Sequence, residues 1–262
     1  MMIIATAILI HKVRTMAGEK RLSGTQARHF VPNEATLPHD ALFRLMTWLS
    51  PAYPVGAFTY SSGMEWAVET GDICDANTLR QWIEVLLADG AGLNDGIFFC
   101  QTHRAVTTND DAGLVAIAEL AAAFVPTRER QVETKTLGRA FFEVTCAAWP
   151  CPALSRFQEL WTGPKAYPVA VGVACAGHDI PMAPALHALL TATTANWVSA
   201  GVRLIPLGHT ESQRLLHALE PAVVAAAQRA FTAQLGDIGS ATFRADLASA
   251  RHETQYTRLF RS

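Results

Sequence analysis

The sequence predicts an all-α protein of about ten packed helices, and three observations carry that expectation. Apolar residues recur at three- and four-residue spacing along most of the chain after Pro38. Ser, Thr and Asp stand where helices should begin, and Gly or Pro where they should end. No stretch shows sustained apolar–polar alternation bounded by hairpin turns, so strands are expected to be few or absent.

The elements are taken in chain order. Leu42, Leu45, Met46 and Leu49 lie at i, i+3, i+4 and i+7 and predict one apolar stripe. Two prolines and a glycine in Ser50–Gly56 end that helix. A second helix is expected from Ser62 to Gly71, opened by a capping box in which Glu65 returns a hydrogen bond to Ser62. Asp75 caps the clearest helix, with Leu79, Trp82, Ile83, Leu86 and Leu87 inward and Gly90 as terminator. Asn94 and Asp111 read as caps of two more, the second ending at Pro126. Residues 127–149 predict a long helix with Val132, Leu137, Phe141 and Val144 on its apolar side. A short helix comes next over Leu154–Trp161. Val169–Gly177, rich in Gly and Ala, fits a tightly packed helix or a short buried strand. Pro181 and Pro184 open a helix to about Ser199. Thr210–Gln213 has capping-box form and opens another helix, which Pro221 ends or kinks before a last run to Leu235.

Composition bounds function. The 262 residues are 50% hydrophobic and 17% charged, with a formal net charge of −2. A low charged fraction suits close helix packing and surface hidden against partners, and near-neutrality gives no support for nucleic acid or an anionic membrane. The five cysteines form no C-x-x-C pair and are expected to be reduced, mostly buried thiols of a cytoplasmic protein. Met1–Ile10 is apolar but too short to span a bilayer, and its positive charges come after it, unlike a secretory signal. Residues 1–36 are expected to be a disordered extension, with Met16 an equal candidate start; 37–250 form the helical domain and 251–262 a tail.

Catalytic signatures are missing. There is no phosphate loop, no G-x-S-x-G elbow, no H-E-x-x-H pair and no dinucleotide fingerprint. The nine histidines are scattered, so neither a metal site nor any cofactor is expected, and the chain reads as non-enzymatic.

Three segments, in order, resemble the urease accessory protein F (UreF) family: LMTWLSPAYPVGAFTYSSGMEWAVETG at 45–71, AGVRLIPLG at 200–208, and DIGSAT at 237–242 with ASARHETQYTRLFRS at 248–262. Thr127-Arg128-Glu129 is similar to the element that opens the family's long helix. The sequence departs from the family pattern at His209 and Ser62, where glutamine is frequent, and at Tyr53, where leucine is. The resemblance implies an all-helical homodimer that assembles with accessory protein UreD/UreH and the GTPase UreG on apo-urease and regulates GTP-dependent nickel insertion. It places Glu65, Arg203 and Tyr60 toward the GTPase. Against these stand plainer readings: a capping glutamate, a snorkelling arginine and a core aromatic. Arg251, His252, Glu253, Tyr256, Arg258, Leu259, Phe260 and Arg261 are expected to contact UreD/UreH, since arginine and aromatics dominate interface hot spots. The tail is expected to order against that partner, or else to fray or tuck onto its own core. A helical carrier of nickel or a small molecule, or a general adaptor, is the competing reading.

Overall fold

Trp48, Tyr53 and Tyr167 each meet the Phe141 ring edge-on or tilted, with centroids 5.5–6.2 Å from it, and Trp48 thereby ties the first helix to the core. The computed structural model describes residues 37–262, which form one unit; the expectations for residues 1–36 lie outside the described residues. Among the described residues eleven α-helices succeed one another: α1 His39–Trp48, α2 Met64–Glu69, α3 Ala76–Asp89, α4 Ala91–Thr107, α5 Asp111–Ala123, α6 Arg128–Ala148, α7 Pro152–Leu160, α8 Tyr167–Gly177, α9 Met182–Leu204, α10 His209–Thr232 and α11 Phe243–His252. Two short 3₁₀ turns, Ala57–Thr59 and Leu235–Asp237, interrupt the connections, and no strand occurs among the described residues. The all-α expectation holds.

At the centre, α4 and α8 cross, and around them pack α3, α5, α6, α7, α9 and α10. Every residue of α8 from Pro168 to Cys175 is buried, which settles Val169–Gly177 as a helix rather than a strand. Gly172 permits the crossing: a Cβ there would lie 3.0 Å from the Thr102 side chain and 3.1 Å from the Phe99 carbonyl oxygen. Close backbone approach of this kind is what small residues supply.

Several local expectations need correction. The first stripe is rotated: Ala41, Leu45 and Trp48 face the core, whereas Leu42 and Met46 are exposed, because the Trp48 indole must reach Phe141. Asn94 is no cap but sits inside α4, where its amide bonds both the N–H and the C=O of Gly239. Asp75 does cap α3 through the Thr78 N–H, and Asp110, one residue before the expected Asp111, caps α5 through Gly113. On α6, Val132 is exposed while Glu129 and Glu133 are buried. Helix α9 continues past Ser199 to Leu204, α10 begins at His209 with no side-chain cap, and Pro221 lies within an unbroken α10. All five cysteines are free, but only Cys100 and Cys175 are fully buried; Cys74 is exposed. Burial pushes the Cys100 thiol up to about 12.

Candidate functional site: a carboxylate clasp on the C-terminal tail

The Pro54-Val55-Gly56 turn, with Gly56 at φ +80°, leads into the 3₁₀ turn and then Ser61-Ser62-Gly63. Ser62 (φ 56°) and Gly63 (φ 83°) are both left-handed. Such a conformation is costly for serine and needs compensation. The compensation is a hub: the Ser62 hydroxyl accepts from Arg130 Nη1 at 2.7 Å and from Trp197 Nε1 at 3.1 Å, and donates to Glu133 at 3.3 Å. Gly63 has a separate reason, since a Cβ there would stand 2.6 Å from the Ser249 backbone nitrogen of α11. The expected Ser62–Glu65 capping box therefore does not form: Gly63 is the N-cap residue and the Glu65 carboxylate is used elsewhere.

Glu65 receives the tail. Its Oε1 accepts from the Leu259 N–H at 2.6 Å and its Oε2 from the Phe260 N–H at 2.9 Å, and Oε2 lies 3.0 Å from His252 Nε2. The other ring nitrogen of His252, Nδ1, lies 2.7 Å from Glu129 Oε2, while Arg258 Nη1 donates to Glu129 Oε1 at 3.1 Å. One helical turn on, Glu133 accepts from the Ser262 hydroxyl at 2.7 Å and pairs with Arg130 at 2.5 Å. The backbone completes the seat: Arg261 N–H donates to the Thr59 carbonyl, and Ser61 donates to the Ser262 carbonyl through both its N–H and its hydroxyl. Three glutamates from two helices thus take most of these donors, and Glu69 accepts from the Gln255 amide. A buried carboxylate is tolerated only when it is paired and hydrogen-bonded in this way.

Arg203 closes the other side. Its guanidinium lies 3.6 Å from the centroid of Phe58 and 4.3 Å from that of Phe260, and Nη1 donates to the Phe58 carbonyl at 2.7 Å. Nε donates to Ser199 one turn back, and Nη2 is buried without a partner. Desolvation lowers the arginine's pKa. The cation is thus held between two ring faces, the buried Phe260 and the exposed Phe58, an attraction that only the first of them makes in a desolvated setting.

The structure thus brings together residues that the resemblance had divided between two partners. Glu65 (8% exposed), Tyr60 and His252 are buried, as is Phe260. Tyr60 packs as a core aromatic. The tail is seated on its own chain, through Glu65, Glu129 and Glu133. Its outer face still presents Arg251, Glu253, Tyr256, Arg258, Leu259 and Arg261, with Tyr256 standing fully free of the surface. Phe243 and Leu247, one turn apart on α11, are exposed as well. Reading the sequence missed Phe243 and Leu247, and it missed Glu129 and Glu133. The signal for the glutamates was there: two acids at i, i+4 on a helix whose partners were not accounted for.

Beneath the clasp lie two cavities of about 260 and 190 Å³. Asp95, Arg130, Thr134 and Trp197 line both. Burial pushes the Asp95 carboxyl up to about 6, with Arg130 opposing and Glu133 adding to the shift. Among the described residues, no group of three or more His, Cys, Asp or Glu side chains could hold a metal ion. None of the described helices is long and apolar enough to cross a membrane.

The UreF family profile matches residues 73–220. A "Urease accessory protein UreF" of Rhodopseudomonas palustris (strain HaA2) is 60% identical over 222 residues, covering 85% of this chain and 94% of the relative. Another of the same name, from Bradyrhizobium sp. (strain BTAi1), is 57% identical over 241 residues, covering 92% of this chain and all of the relative. The matched span includes the clasp helix α6, the central α4–α8 crossing and Arg203, and on this combined ground the chain belongs to the urease accessory protein UreF family.

Proposed function

We propose that the chain is a non-catalytic urease maturation factor of the cytoplasm. In this reading it acts as a homodimer, assembles with UreD/UreH and the GTPase UreG on apo-urease, and regulates GTP-dependent nickel delivery. Family membership supports the maturation role. The observation that carries the partner assignment is the outer face of the tail, where Tyr256 and Leu259 stand exposed on a segment whose inner face is fixed by Glu65, Glu129 and Glu133. A preordered segment binds without meeting the ordering cost of about 1–2 kcal/mol per residue that a frayed end would.

The GTPase surface is assigned to the flank built by Arg203, Phe58 and Glu65. Glu65 and Tyr60 are buried, so they act there by holding that flank in shape, while Arg203 and the exposed Phe58 ring supply its surface.

The test is co-purification with UreD/UreH and UreG, with and without nucleotide. Removing residues 252–262 would strand Glu65 and Glu129 without partners, so outer-face substitutions are cleaner. Tyr256→Ala with Leu259→Ser should weaken UreD/UreH capture by about 30-fold, the loss of one interface hot spot, without lowering the melting temperature. Undiminished capture by the double variant would sink the tail assignment.

A further inference from the structure

The larger cavity beneath the clasp has the make-up of a ligand site: we propose that it binds a small organic ammonium ion, with the cationic head on the Asp95 carboxylate and the apolar body against Phe98, Phe124 and Trp197. This goes beyond the partner reading and does not depend on it.

Asp95 comes from the second turn of α4, deep in the chain, and lines both cavities. Among the described residues its carboxylate accepts no hydrogen bond and forms no ion pair. Arg130 is the cation that acts on it, but that guanidinium is committed to Glu133 at 2.5 Å and to the Ser62 hydroxyl at 2.7 Å. Glu65, Glu129 and Glu133 in the clasp all have their donors, and Asp95 has none. An interior carboxylate without a donor costs stability. A donor that arrives with a ligand accounts for a side chain kept in that state.

The charges around the cavities select the sign of the occupant. Three carboxylates, Asp95, Glu133 and Asp246, face the two cavities against one guanidinium, Arg130. Arg130 and Glu133 balance one another as a pair, which leaves Asp95 and Asp246 on the larger cavity uncompensated. An anion is disfavoured there. A bound metal ion is disfavoured too, since no group of three or more His, Cys, Asp or Glu among the described residues could hold one.

The walls select the rest of the molecule. Phe98 and Phe124 meet edge-on, with ring centroids 5.9 Å apart, and Leu86, Pro168 and Trp197 continue the apolar lining. Apolar walls with a few convergent polar groups are the usual make-up of a small-molecule site, and aromatic rings attract an ammonium as well. At about 260 Å³ the space suits a ligand smaller than a drug. Ser240, exposed to solvent, also lines the cavity, so a ligand can enter past the loop before α11.

The probe is phenethylammonium, a primary ammonium with one ring, added to the full chain at about pH 7.5, where probe and Asp95 are both charged. Titration followed at the Trp197 indole N–H should give a Kd of about 1 mM or tighter. Phenethyl alcohol, the neutral analogue, should bind at least about tenfold more weakly. In Asp95→Asn the ammonium should lose at least about tenfold and match the alcohol. Hydrogen exchange checks the variant: protection of the α8 amides, and of Leu259 and Phe260 in the C-terminal strap (residues 253–262), should equal that of wild type. Where it does not, the comparison of ammonium with alcohol in the wild-type chain decides. Equal binding of the two probes, or an Asp95→Asn variant that keeps its affinity for the ammonium, makes this an apolar cavity only and overturns the proposal. Binding of neither probe leaves the cavity to water, and displacement of phenethylammonium by an equal concentration of nickel ion gives the carboxylates to a metal. Each of these results overturns it as well.

Discussion

The α4–α8 crossing and the C-terminal strap are both buried, but by opposite means. At the crossing, Phe99, Cys100, Val171, Val173, Ala174 and Cys175 are wholly shielded and Gly172 lets the backbones approach, so the contact is one of shape and excluded water. In the strap, Glu65, Glu129 and Glu133 hold the terminal segment through directed hydrogen bonds, with Phe260 as the principal apolar anchor. Apolar packing is non-directional and has no alternative partner short of unfolding. A charged network is strong only while complete, and loses its hold when one member changes. The first region therefore sets whether the domain folds, and the second sets which surface the folded domain presents.

The largest expected effect tests the first half of that contrast. Phe99→Ala should cost about 3–5 kcal/mol, the range for truncating a fully buried phenylalanine. At about 2–4 °C per kcal/mol, the melting temperature should drop by about 10 °C. Exchange should accelerate in helices throughout the domain. A loss confined to α4 and α8 would mean that the crossing is a local contact rather than the common core.

Arg203→Ala addresses the second half with a smaller expected loss. It removes the cation from between Phe58 and Phe260 and the donor from the Phe58 carbonyl. Cation–π contacts of this partly desolvated kind are worth about 1–2 kcal/mol. Protection at Leu259 and Phe260 should fall while α8 amides are unchanged, and UreG capture should weaken alongside. If the tail keeps its protection, Arg203 is not a strap residue and its stacking is incidental.

The same contrast explains what could be read from the sequence. The core was legible because periodicity reports burial directly: Leu79, Ile83, Leu86 and Leu87 fall inward as spaced, and Leu137 and Phe141 do so on α6. The failures cluster where a polar side chain had several possible partners. Asn94 and Glu65 look like local caps because capping is the commonest use of such residues near helix ends. In the structure both bond segments more than 100 residues away, Gly239 and Leu259–Phe260. Long-range hydrogen bonds leave no spacing signature. The tail's residue types flagged it as important, yet its seat on Glu129 and Glu133 depended on which face of α6 turned inward. Val132 had suggested the opposite face, and it is exposed.

The smallest expected effect lies between the two regions, at Asp95, which lines both cavities beneath the clasp. Its carboxyl is pushed from 3.8 up to about 6, by burial first, with Glu133 adding and Arg130 opposing. A folded-state value above the unfolded one means that the folded chain binds the extra proton. Stability from this group is thus greatest below about pH 4 and is lost as pH rises through about 6. Asp95→Asn removes the ionisation. At pH 7.5 it should raise stability by about 1 kcal/mol, after allowance for partial exposure and the lost attraction to Arg130. Near pH 4 the two proteins should melt together. Denaturant titrations at the two pH values measure the difference. A destabilised Asp95→Asn at pH 7.5 would mean that the Asp95 carboxylate is needed to hold Arg130, joining it to the strap network rather than opposing it.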